Sequence, residues 1–381
     1  MCAAAALAGA AGCSSATGID SGAPPDSTHT TFDIQATPAV WDFAVRGATD
    51  GAGTFLIATW RGDSTITHGN AGAQLVSASG NVLGSGFTFG ANAGDVPIAG
   101  FDGTHYLLVF QQGTLPDASD VFGQVIDRSG STVGAPFQIS ASNGMAVWGV
   151  QFGAGTYLVT YTSAQPGTFA RTVSPNGALG PEVTIAPGGD LSAVAFDGRN
   201  FLVEYATDAE LHARFVSPAG APGQDVTLAS GYDADVHMDV GFNGTNYLLA
   251  WGQSSFGTGW VSSIRVRAVT PGGTRIGSET TIPIAPPGGD VQKMIVSGSD
   301  FVLEWREKNP AGGATTKVQF FDGNGVPLSS PQTVASTDAQ YHVYFAWVLP
   351  AGGSRYLEVI NRAPLDSGQT DVVGKFVTLT P

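Results

Sequence analysis

The chain has 381 residues, of which 12% are charged, and its 31 acidic against 16 basic residues give a formal net charge of −15. No basic stripe exists to neutralise phosphates, which excludes a nucleic-acid partner and disfavours direct adhesion to anionic lipid headgroups. Glycine (53 copies) and proline (22) are spread along the chain rather than bunched, so composition points to a large folded core with many tight turns.

At the N-terminus, Ala3 to Gly12 is a small-residue apolar run ending in Ala10-Ala11-Gly12-Cys13. Ten apolar residues cannot span a bilayer, which needs roughly 20 in a helix. The run resembles a bacterial lipoprotein signal, which implies lipidation of Cys13 after residues 1–13 have served as an export segment. An envelope location follows, lipid-anchored or secreted, with membrane contact only through the lipid. An Ala-rich end with an incidental cysteine is the alternative. Residues 14–30 lack periodicity and are rich in Ser, Gly, Pro and Thr, the composition of a tether. Both cysteines, Cys2 and Cys13, precede this tether, so the region 31–381 holds no disulfide, thiol nucleophile or Cys-ligated metal.

From there one unit recurs. An aromatic followed by aliphatics appears at Phe55, Tyr106, Tyr157, Phe201, Tyr247, Phe301 and Tyr356, at intervals of 51, 51, 44, 46, 54 and 55 residues. A Gly-containing turn precedes most copies, as in Phe101-Asp-Gly-Thr, Phe196-Asp-Gly-Arg and Phe242-Asn-Gly-Thr, a hairpin signal because these residues tolerate positive φ. A second turn follows, as in Asp127-Arg-Ser-Gly, Ser174-Pro-Asn-Gly, Ser217-Pro-Ala-Gly and Thr270-Pro-Gly-Gly. Each unit therefore reads as four strands joined by hairpins; in the second these span about 95–101, 106–112, 121–127 and 135–140. Nothing sustains a helical period. The pattern predicts an all-β fold, a seven-bladed β-propeller of four-stranded antiparallel blades.

The seventh unit reaches Val377-Thr-Leu-Thr380-Pro381, where Thr-Pro stands at the position that opens the last turn of other units. Its fourth strand is expected from the front of the domain: residues 31–37 resemble Phe137-Gln-Ile-Ser and should pair with the strand around 372–378.

These units resemble a repeat of secreted and lipoprotein β-propellers of bacteria, running roughly as Phe-Asp-Gly-Thr-Asn-Tyr-Leu-Val-Val-Trp, a variable hairpin, then Gly-Gln-Arg-Val-Ser-Pro-Asp-Gly. The nearest copies are residues 101–110 with Phe122-Gly-Gln-Val-Ile-Asp, and Phe242-Asn-Gly-Thr-Asn-Tyr-Leu-Leu-Ala-Trp251. The resemblance covers residues 31–381 and implies architecture; most such proteins have no assigned role. Repeated Trp-Asp, kelch, sialidase-type and integrin-type calcium signatures are absent.

For chemistry, acids recur in the loops entering the first strand of each unit: Asp95, Asp190, Asp235 and Asp290, with Asp338 near the seventh. A ring of carboxylates at one channel mouth would suit Ca²⁺, a cationic ligand or sugar hydroxyls. Asp is equally a good residue for capping a turn. The stripe Asp233, Asp235, His237 and Asp239 places four polar side chains on one strand face, where only neighbours such as Asp235 and His237 are close enough to share an ion. Trp41, Trp148 and Trp347 sit in first strands, as sugar-stacking platforms or as blade core. No nucleophile elbow, His-Glu-x-x-His or phosphate loop occurs. The expectation is a monomeric binding module for a glycan or protein, with no cofactor other than Ca²⁺. The alternatives are a polysaccharide-degrading propeller enzyme using Asp235 and His237, and a structural envelope protein.

Overall fold

The repeated aromatic–aliphatic runs are strands, and each is the second of four. The computed structural model describes residues 31–381 apart from 36–40, 63–68, 94–96, 115–117, 142–143, 164–166, 208–209, 231–236, 255–260 and 366–368. The export segment, the tether and Cys13 lie outside the described residues. After β1 (Phe32–Gln35), the strands β2 (Trp41–Thr49), β3 (Thr54–Gly62), β4 (Gly69–Ser77) and β5 (Val82–Ala93) form an antiparallel meander. The same meander recurs in β6 (Ile98–Phe101), β7 (His105–Thr114), β8 (Ala118–Asp127) and β9 (Thr132–Gln138). It recurs again in β10 (Gly144–Gly153), β11 (Thr156–Ser163), β12 (Gly167–Val173) and β13 (Leu179–Pro187). A further sheet holds β14 (Asp190–Phe196), β15 (Phe201–Ala206), β16 (Glu210–Val216) and β17 (Pro222–Ser230).

An eight-stranded sheet follows. Its first half is β18 (Met238–Phe242), β19 (Tyr247–Ser254), β20 (Val261–Val269) and β21 (Arg275–Pro283). Its second half is β22 (Gly289–Ser297), β23 (Asp300–Lys308), β24 (Ala314–Phe321) and β25 (Gln332–Ser336). Among the described residues only the pair Val261–Gly289 joins the halves. Finally β26 (Tyr341–Pro350), β27 (Arg355–Pro364) and β28 (Asp371–Thr378) are completed by β1, which pairs antiparallel with β28 through Phe32–Gly374, Asp33–Val373 and Gln35–Val372. The expected pairing of front and back strands is therefore present.

The first strands pack side by side in the cyclic order β2, β6, β10, β14, β18, β22, β26 and back to β2. Sheets radiating from such a ring make a β-propeller, and no helix is found among the described residues. Burial follows from this geometry. Second strands lie between neighbouring sheets, so Phe55, Tyr106, Tyr157, Phe201, Tyr247, Phe301 and Tyr356 are all at most 1% exposed. Outer strands face solvent, and β9 is exposed over most of its length.

The turn chemistry is as the residue types require. Asp102 Oδ1 accepts the N–H of Thr104 and His105 at 2.7 and 2.6 Å, with Gly103 at φ +95°, where a side chain would be strained. At the second turn the opening residue accepts the N–H four positions on: Ser174 Oγ from Ala178 at 2.9 Å and Asp127 Oδ1 from Ser131 at 2.8 Å. This turn hands the chain directly to the outer strand, so β9 starts at Thr132 rather than at 135.

Candidate functional site

Where the first strands of adjoining sheets begin, half-buried aromatic side chains lie side by side. Trp41, the first residue of β2, has its ring centroid 6.4 Å from that of Tyr344 on β26, at an interplanar angle of 43°. Tyr344 is in turn 6.4 Å from His342. Trp41 also rests on Phe43 at 5.7 Å, and Phe43 on the buried Trp60 at 6.1 Å, so core packing fixes its orientation. His342 and Tyr344 flank Val343 near the start of β26, where the register slips between Val343 and Phe345. Two guanidinium groups flank the strip. Arg362 lies 4.1 Å above Tyr341, and Arg306 lies 4.1 Å above Phe345. Arg306 also donates to Tyr344 O at 2.8 Å, which fastens β26 to β23.

The carboxylates nearby are engaged. Asp290 pairs with Arg306, whose Nε lies 2.8 Å from Oδ2, and only 13% of the Asp290 side chain is exposed. Its charge is neutralised locally rather than presented at the channel mouth. Asp338 caps its own turn, accepting from Gln340 and Tyr341 N–H at 2.7 and 2.8 Å. Asp42, beside Trp41 and without exposed surface, accepts from Gln35 Nε2 at 2.8 Å and Arg61 Nε at 3.2 Å. Asp371 is held above the usual carboxylate range by burial and then by the charge of Asp42, with Arg362 opposing. His342 Nδ1 is buried with no hydrogen-bond partner among the described residues.

The other anticipated residues fall elsewhere. Asp95 and Asp235 lie outside the described residues, as does the Asp190 side chain, although Asp190 begins β14. The polar stripe is not one strand face over its described part. Strand β18 starts only at Met238, leaving His237 exposed ahead of it, while Asp239 is 4% exposed and ion-paired with Lys293. Trp148 is half-buried on β10 with Nε1 donating to Thr162 Oγ1 at 3.2 Å, away from the Trp41 strip. Trp347 is 5% exposed and its Nε1 donates to Ala44 O at 2.7 Å, which makes it blade core. Among the described residues no group of three or more His, Cys, Asp or Glu could hold a metal ion. Sequence reasoning did not single out Tyr344, His342 or Arg306. The alternation His342-Val-Tyr344 at the start of the first strand was the available signal.

No protein-family model matches the chain, and no curated relative is found by sequence. Its fold is similar to that of a protein of unknown function from Dyadobacter fermentans, with TM-score 0.57 and 10% identity over 93% of this chain and 99% of that one. It is similar to the β-propeller domain of the Trilobed protease from Pyrococcus furiosus, with TM-score 0.52 and 8% identity over 90% and 98%. It is also similar to part of an acylaminoacyl peptidase from Pyrococcus horikoshii, with TM-score 0.50 and 9% identity over 90% of this chain and 53% of that one; the chain thus spans about half of that enzyme. At such identities the likeness is one of fold: this chain is a β-propeller.

Proposed function

We propose that the chain is an exported, seven-bladed β-propeller lipoprotein of the bacterial cell envelope, anchored through Cys13, whose propeller face binds a glycan. The observation that carries the glycan reading is the strip of half-buried Trp41, Tyr344 and His342 rings. Sugar C–H bonds are polarised toward the electron-rich face of an indole or phenol ring, and a fixed ring loses little entropy when a sugar docks on it. Arg362 stands at the edge of the strip as a hydrogen-bonding group for hydroxyls. Seven blades are supported by the grouping of strands in fours, the eight-stranded sheet counting as two blades because a single residue pair links its halves among the described residues. The anchor rests on the residues around Cys13.

A glycan array, followed by titration of the best hit, tests the binding reading. Trp41→Ala and Tyr344→Ala should each weaken binding by about tenfold or more. An array without hits, or a hit that both variants bind unchanged, removes the glycan; a protein captured through the same two residues would make the face a protein-binding surface instead.

A further inference from the structure

Inside the ring of first strands lies a cavity of about 310 Å³, walled by Val194, Val240, Met294, Ile295, Trp347 and Leu349. Two cations enter it. Arg46 starts from β2 and reaches across to β22, where Nη1 donates to Gln292 O at 2.7 Å, passing over the intervening β26–β28 sheet. This brings the guanidinium beside Lys293, the next residue, and both side chains line the cavity.

Lys293 is 41% exposed, and its Nζ lies 2.8 Å from Asp239 Oδ2. That carboxylate oxygen also accepts the Met294 N–H at 2.7 Å. Behind the cations, Glu304 has no exposed surface, and burial holds its carboxyl well above the usual carboxylate range. Of the two cations only Lys293 has a carboxylate ion-pair partner among the described residues, Asp239, while Arg46 bonds a backbone carbonyl, which concentrates positive groups here in a chain whose net charge is −15. The guanidinium uses one of its donors on Gln292 and keeps its planar fork for a carboxylate or sulfonate. A half-enclosed, apolar-walled site strengthens that attraction relative to open water.

We infer that the channel cavity is a binding site for a small amphipathic anion, its acidic head on Arg46 and Lys293 and its apolar body against Val240, Met294, Trp347 and Leu349. The site is separate from the aromatic strip and stands without the glycan reading.

Calorimetric titration of the full chain with octanoate and with octanamide, its uncharged isostere, tests this. Octanoate should bind at one site per chain, about tenfold or more tighter than octanamide. Arg46→Gln should reduce octanoate to the octanamide level, and Trp41→Ala should leave it unchanged. Absence of octanoate binding at millimolar concentration, equal affinity for both probes, or unaltered octanoate binding by Arg46→Gln would each overturn the assignment. Should Arg46→Gln fail to fold, the ratio of the two probes on the unmodified chain decides alone.

Discussion

Glu358 sits mid-strand in β27, between Leu357 and Val359, with no exposed surface, and the Lys375 ammonium 3.1 Å away is its ion-pair partner. Burial nevertheless outweighs that cation and pushes its carboxyl up to about 7. Glu204 and Glu304, each three residues beyond the aromatic that opens the run in β15 and β23, are also fully buried and held well above the usual carboxylate range, Glu204 by burial and then by Asp239. A folded state that keeps a proton the unfolded chain releases loses stability as pH rises. For Glu358 the loss runs from the ordinary glutamate value to about pH 7 and amounts to roughly 3 kcal/mol. The melting temperature should therefore fall between pH 5 and pH 8, and Glu358→Gln should make the fall shallower and raise the melting temperature at pH 8. Parallel melting curves for both proteins across that range would refute this role. The three glutamates were not legible beforehand: each follows an aromatic–aliphatic run, where a single acid reads as the polar end of a strand. Only the facing sheet makes it interior.

At the scale of the strand, several first strands are bulged, with register shifts at Phe43/Arg46 in β2, Val291/Lys293 in β22 and Val343/Phe345 in β26. A bulge releases backbone groups from the ladder, and inside a ring water is not at hand to satisfy them. At the β2 bulge a side chain from the preceding sheet takes that place: Asn361 Oδ1 accepts Ala44 N–H at 2.6 Å and its amide donates to Ala44 O. Side chains of preceding sheets also reach first strands away from their bulges, where Asp239 receives Met294 N–H and Glu304 receives Val348 N–H at 3.2 Å. Removing this clasp strands the buried Ala44 N–H while Ala44 O keeps the Trp347 indole N–H, so Asn361→Ala should cost about 1–3 kcal/mol, read as a lower urea midpoint with unchanged slope. A loss below about half a kilocalorie per mole would show that water enters the bulge. Strands and turns were readable because each depends on neighbours in the chain, such as Asp102 before Gly103. Bulges and clasps were not, since Asn361 and Ala44 are 317 residues apart.

For the whole molecule, the ring is completed by a strand of four residues. Phe32 lies over Gly374, where a Cβ would come within 2.5 Å of the ring, and stacks on Phe376 at 6.0 Å; Ile34 is 5% exposed. Burying one Phe and one Ile is worth about 4 kcal/mol. Deleting residues 31–37 should lower the melting temperature by about 5 °C for a domain of this size, and an unchanged melting curve would mean that the ring holds without β1. This closure could be anticipated because the front of the domain carries the outer-strand pattern the last unit lacks. The meeting of Arg46 with Lys293 could not, because it depends on how far a bulged β2 leans across the channel.

Strand direction at that seam also sets how it would give way under load. Phe32 lies opposite Gly374 and Gln35 opposite Val372, so the segment ahead of Phe32 and the segment beyond Thr378 leave the seam at the same end. Tension applied between those segments meets the hydrogen bonds one after another, as in opening a zip, rather than all at once in shear. A protein held at its front would thus yield first at this seam, while the meanders behind it stay folded.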